Sequence, residues 1–158
     1  MARVAEAGAI VPLEPARALA LWTDLDRWPM FVEGFARLSQ RSEEWPREGA
    51  EIVWESIPEG RGRVTERVQA YAEPGAEGSG LLVTAIEDDS LAGEQTAAFH
   101  PVEEGTRVEL DLAYELTDAG FLAPVTDFIF IRRALRDALR RTLVHFAAEA
   151  AEGPPPGS

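Results

Sequence analysis

A chain of 158 residues, 46% of them hydrophobic, is long enough to close one substantial core and suits a single domain. Its net charge of -13 argues against nucleic acid or an anionic bilayer as partner, since both polyanions require a basic surface. With no cysteine, and with all 15 basic residues arginine, disulfides, thiolate nucleophiles, cysteine-held metals, Schiff-base lysines and the P-loop lysine are all excluded. Asparagine is also missing, and because Lys and Asn share AT-rich codons, a GC-rich coding sequence is the simplest account.

Met1 to Val11 is interrupted by Arg3 and Glu6 and is too short in apolar run for a signal peptide. No stretch approaches the ~20 apolar residues of a membrane span, so a cytoplasmic protein with no stable membrane insertion is expected. Arg3 to Val11 reads as an extended segment. Pro12 and Pro15 bracket a turn, and Pro15 suits the first turn of a short helix over Ala16 to Trp22 that buries Ala18, Leu19, Leu21 and Trp22. Asp24 is a good N-cap for a second short helical turn.

From Phe35 to Leu116 the hydrophobic period becomes two, punctuated at Gly49, Pro58 to Gly62, Pro74 to Gly80, Gly93 and Gly105. Six strands are expected, near 35–43, 50–57, 62–73, 80–88, 94–102 and 106–116, joined as an antiparallel meander. In the last of them Val108, Leu110, Leu112, Tyr114 and Leu116 alternate with Arg107, Glu109, Asp111 and Glu115, giving one buried and one wet face. The same parity puts Ile52, Trp54 and Ser56, and Gln95, Ala97 and Phe99, on the inner face. One helix remains, from about Phe121 to Ala150, and a sheet with a single apolar face is expected to curl around it. The expected organisation is one domain over 1–152 and a disordered tail over 153–158, where Gly-Pro-Pro-Pro-Gly-Ser stops the helix.

At about 100° per residue, Val125, Phe128, Ile129, Leu139, Leu143 and Phe146 form one stripe of that helix, with Arg132 and Arg136 between them. An unpaired buried charge costs several kcal/mol. These guanidinium groups must therefore reach water, a carboxylate or a ligand.

Several local features carry a family resemblance: Val11-Pro12-Leu13-Glu14-Pro15, Leu21-Trp22-Thr23-Asp24-Leu25, Asp26-Arg27-Trp28-Pro29-Met30-Phe31-Val32-Glu33-Gly34, the turn Glu104-Gly105-Thr106-Arg107-Val108, and Arg132-Arg133. In this order of elements the chain resembles, over about residues 4–150, the α+β helix-grip fold of the birch-pollen-allergen, lipid-transfer and polyketide-cyclase (SRPBCC) superfamily. The resemblance implies a curved antiparallel sheet of about seven strands around a long C-terminal helix, with two short helices after strand 1. It also implies an apolar pocket between sheet and helix for sterols, lipids, polyketides or other hydrophobic small molecules. Some members are aromatase/cyclases or dehydratases, and many only bind or carry ligands.

His100 and His145 lie outward by parity and do not supply the convergent ligands of a metal site. Gly60-Arg61-Gly62 and Gly78-Ser79-Gly80 sit between strands and read as hairpin turns, while Asp88, Asp89, Glu103 and Glu104 read as solvated turn residues. Trp22, Trp28 and Phe31 are expected to pack the core or the helices. No catalytic residue, metal or cofactor is assigned. The expected ligand-binding set is Arg132 and Arg136, meeting an anionic or carbonyl-bearing head, with Phe128, Ile129, Trp54, Phe99, Leu112 and Tyr114 around the ligand body. Three function classes follow: a binder or carrier of a hydrophobic small molecule, a cyclase, aromatase or dehydratase with Arg132 polarising a carbonyl and Tyr114 donating a proton, and a protein-interaction module. Oligomeric state is left open.

Overall fold

A computed structural model describes residues 3–76, 78–117 and 125–152, with side chains from residue 130 onward in the last helix. The expectations for 121–124, for the side chains of Phe128 and Ile129, and for the tail at 153–158 lie outside the described residues.

The first strand, β1 (Arg3–Val11), turns inward Ala5 and Val11, which are buried, and Ala7 and Ala9, which pack against the core. Pro15 opens α1 (Pro15–Thr23), where its missing N–H costs nothing, and the helix buries Ala18, Leu19 and Trp22. Asp24 Oδ1 then accepts from Asp26 N at 3.1 Å and caps a 3-10 turn (Leu25–Arg27), which runs into α2 (Trp28–Phe31).

Six further strands follow: β2 (Phe35–Arg41), β3 (Glu51–Ser56), β4 (Arg63–Ala72), β5 (Gly80–Glu87), β6 (Leu91–Val102) and β7 (Gly105–Leu116). Their order in the sheet is β1-β7-β6-β5-β4-β3-β2, with every neighbouring pair antiparallel. The alternation expected in β7 is present: Val108, Leu110, Leu112 and Tyr114 are buried, whereas Arg107, Asp111 and Glu115 are exposed. The curved sheet is closed by α3 (Val125–Glu152), which packs on β1 and α2. The alanines of β1 bring the helix close to this edge.

β6 begins at Leu91, three residues before the expected 94. The side chain of Asp88 is the reason: Oδ1 accepts from Ser90 N at 2.8 Å and Leu91 N at 3.0 Å, which tightens the β5–β6 turn and lets pairing start at once. Gly93 is therefore no turn residue. It stands inside β6, opposite Tyr114, where an added Cβ would come within 2.1 Å of Ala113 O on β7.

Two aromatic groups fill the interior. Phe146 of α3 meets Trp22 and Phe31 at centroid distances of 5.2 and 5.1 Å, in edge-to-face geometry. Trp28 meets Phe35, Trp45 and Trp54 at 6.2, 6.0 and 6.4 Å. Trp22, Trp28 and Phe31 are thus core residues, as expected. On α3, Leu139, Thr142, Leu143, Phe146, Glu149 and Ala150 are buried, whereas among the described side chains from 130 to 138 Ile131, Leu135 and Ala138 are half-buried and the rest are exposed. The packed face is rotated from the ideal stripe toward these three residues. Arg132 and Arg136 stand on its flank and are exposed.

Candidate ligand-binding site

Beneath the stretch of α3 from Ile131 to Thr142, two connected spaces remain. The inner one has a volume of about 60 Å³, and its apolar wall includes Trp22, Trp28, Trp54, Leu110, Leu112 and Leu139. The outer one is a groove of about 440 Å³ bounded by Ile57, Leu91, Ile131, Ala134 and Leu135. Glu33, Arg61, Leu135 and Ala138 line both, so the groove is the mouth of the cavity. At this rim Glu33 is fixed to α3 twice: its backbone N–H donates to Thr142 Oγ1 at 3.0 Å, and Oε1 accepts from Arg141 Nε at 2.9 Å.

The polar end of the cavity comes from strand parity and one turn. Val64, Glu66 and Val68 of β4 point inward, which carries the Glu66 carboxyl into the interior at 4% exposure. Trp54 Nε1 donates to its Oε2 at 2.7 Å, and Thr84 Oγ1 donates to its Oε1 at 3.2 Å. Burial pushes the Glu66 carboxyl above the ordinary carboxylate range, against the opposing pull of the indole, the Arg61 charge and the Thr84 hydroxyl. An indole N–H can only donate, so Oε2 is committed as acceptor. When Glu66 is protonated, the proton accordingly sits on Oε1, beside the Thr84 hydroxyl.

Arg61 approaches from the β3–β4 turn. Gly62 follows it at φ +78°, a conformation that side-chain-bearing residues rarely adopt, and there an added Cβ would meet Asp89 Oδ2 at 2.2 Å. Arg61 Nε donates to Asp88 Oδ2 at 2.6 Å, yet its Nη2 is buried with no hydrogen-bond partner among the described residues. Asp88, expected to be solvated, has a side chain only 2% exposed, because it serves both Arg61 and the backbone of the next turn. Gly60-Arg61-Gly62 is a hairpin turn as expected, and it also delivers a guanidinium group to the cavity.

The structure brings only part of the expected set to this site. Trp54 and Leu112 line the inner cavity, and so does Gln95. Phe99 is fully buried with its ring 6.3 Å from Trp22, away from both spaces. Tyr114 is the next inward residue after Leu112. Its ring is buried and its hydroxyl lacks a partner among the described residues, burial raises its pKa, and the nearby charges of Arg3 and Arg132 pull the other way. Sequence reading assigns no site role to Arg61, Glu66 or Asp88. For Glu66 a signal exists, since a carboxylate stands between two inward valines. His100 contacts Ser79 Oγ through Nδ1 at 2.9 Å, and His145 is exposed.

A seven-stranded antiparallel sheet wrapped on a C-terminal helix, with a polar-ended cavity between them, defines a helix-grip protein. A family model described as polyketide cyclase / dehydrase and lipid transport matches residues 1–151, and the chain belongs to that family. Among solved structures, the protein TTHA0849 of Thermus thermophilus has a TM-score of 0.70 at 22% identity, covering 95% of this chain and 98% of that one. The di-domain ARO/CYC StfQ from the steffimycin biosynthetic pathway has a TM-score of 0.75 at 18% identity, with 96% of this chain matched to 51% of StfQ. A Rhodobacter sphaeroides protein has a TM-score of 0.66 at 21% identity, covering 96% and 95% of the two chains. Identities this low establish a shared fold. No curated protein sequence matches the chain. No described helix is long and apolar enough to cross a membrane.

Proposed function

We propose that this protein binds a hydrophobic small molecule, with the apolar body in the groove under α3 and a polar end in the inner cavity. The observation that carries this reading is Arg61 Nη2, a buried charged donor without a partner among the described residues, where the two spaces join. Leaving such a donor unsatisfied costs about 1–3 kcal/mol, which a ligand oxygen would recover. Trp54 and Leu112 supply wall, and the apolar surface around a few placed polar groups is the usual composition of a small-molecule site. The unpartnered Tyr114 hydroxyl, with Arg132 near it and Arg136 one turn further on, would meet a second polar point of a long ligand.

Turnover of a polyketide-like chain is the second reading, favoured by Glu66: a buried carboxyl at the cavity whose pKa is raised by burial is a potential general acid. Native mass spectrometry of the purified protein, followed by organic extraction, tests the first reading. A stoichiometric apolar compound with a polar end is the expected result, and its conversion on incubation would favour the second. An apo mass with no uptake from a lipid and polyketide mixture would sink both and leave a protein-interaction module.

A further inference from the structure

We infer that the inner end of the cavity receives an uncharged carbonyl or enol oxygen and selects it over a carboxylate. This rests on the ligand-binding reading above and specifies the head group that the same site takes.

Each charge near this pole already has a partner. The Arg61 guanidinium is held by Asp88 at 2.6 Å, and Glu33 at the rim is held by Arg141 at 2.9 Å. Glu66 is fully enclosed, with Trp54 of β3 and Thr84 of β5 as hydrogen-bond partners and Arg61 as the neighbouring charge. The other residues facing the inner space are uncharged: Gln95 of β6, and Leu135, Ala138, Leu139 and Thr142 of α3. A ligand carboxylate would thus be a second anion beside Asp88 with no cation left to balance it. In so buried a place that charge is strongly disfavoured.

What the pole does have in excess is donors. Arg61 Nη2 lacks an acceptor, Gln95 adds an amide N–H, and Glu66, which lines the same space, adds a donor whenever it is protonated. A carbonyl oxygen offers two lone pairs and no net charge, so it can accept from Arg61 and from a second donor of this pole. Size points the same way. About 60 Å³ holds a few water-sized groups and no ring system, whereas the adjoining groove of about 440 Å³ has room for a ring-bearing body. The ligand therefore enters head first.

Three probes with one naphthalene body test this by titration calorimetry on the full chain: 2-acetylnaphthalene, 2-naphthoate and 2-ethylnaphthalene. The ketone is expected to bind about tenfold or more tighter than either of the others, as one well-made hydrogen bond of about 1.4 kcal/mol would give. Its affinity should fall as pH rises and Glu66 loses the donated proton, and in E66Q the ratio of affinities at low and high pH should approach one. Naphthoate binding as tightly as the ketone, or a pH-independent ketone affinity in the unmutated protein, would overturn the inference while leaving the pocket intact. Equal affinity for all three would do the same. No binding by any of them would overturn the pocket reading itself.

Discussion

The indole Nε1 of Trp54 donates a 2.7 Å hydrogen bond to Oε2 of Glu66 on the neighbouring strand, and both side chains are buried. The pair joins a core aromatic to the polar end of the cavity. In Trp54→Phe the ring packing against Phe35 and Trp28 is largely kept, but the Glu66 oxygen loses its donor. A loss of about 1–3 kcal/mol is expected, seen as a lower urea midpoint at unchanged m-value. An unchanged midpoint would mean that the hydrogen bond contributes nothing to stability.

Glu66 should also set a pH dependence of stability. Its folded pKa lies above the unfolded value, so the native state binds the proton more tightly. That contribution is fully present below the unfolded pKa and is lost as pH rises through the raised folded pKa. The variant Glu66→Gln keeps the shape without the ionisation. Its Tm relative to the parent should therefore climb as pH rises above the unfolded carboxylate pKa, by about 2–4 °C for each kcal/mol recovered. A constant difference from pH 4 to pH 9 would count against the shift.

Arg27 Nη2 and Glu149 Oε2 lie 2.7 Å apart and tie the turn before α2 to the last turns of α3, 122 residues away. Glu149 is buried, whereas Arg27 keeps part of its surface in water. Arg27→Met should destabilise the fold by about 1–3 kcal/mol, below the range for a fully buried pair, because water can reach the orphaned carboxylate. Urea denaturation of the single variant beside R27M/E149Q measures this, and the double variant should recover part of the loss.

Two phenylalanines of one helix should behave oppositely. Phe146 is 0% exposed between Trp22 and Phe31, and Phe130 is 76% exposed. Phe146→Ala is expected to cost about 3–5 kcal/mol, and Phe130→Ala within about 0.5 kcal/mol. Similar losses at both sites, measured by thermal melts, would contradict the packing described for α3.

The sequence by itself determined the fold, because period-two alternation and chain punctuation are local signals. Val108 to Tyr114 announce which face of β7 is buried, and Pro15 and Asp24 mark where the short helices begin. The long helix was legible as an element, but the orientation of its N-terminal half was not. An ideal wheel assigns Arg132 to the stripe, whereas the seat of Leu139, Leu143 and Phe146 on β1 and α2 rotates that part so that Arg132 and Arg136 reach water. The polar end of the cavity was decided only in three dimensions. Arg61 and Asp88 stand in two different turns 27 residues apart, and each alone reads as a solvated turn charge. Antiparallel pairing of β4 with β5 sets these turns side by side, and only then do their burial, their pairing and the nearness of Glu66 exist as properties of the molecule.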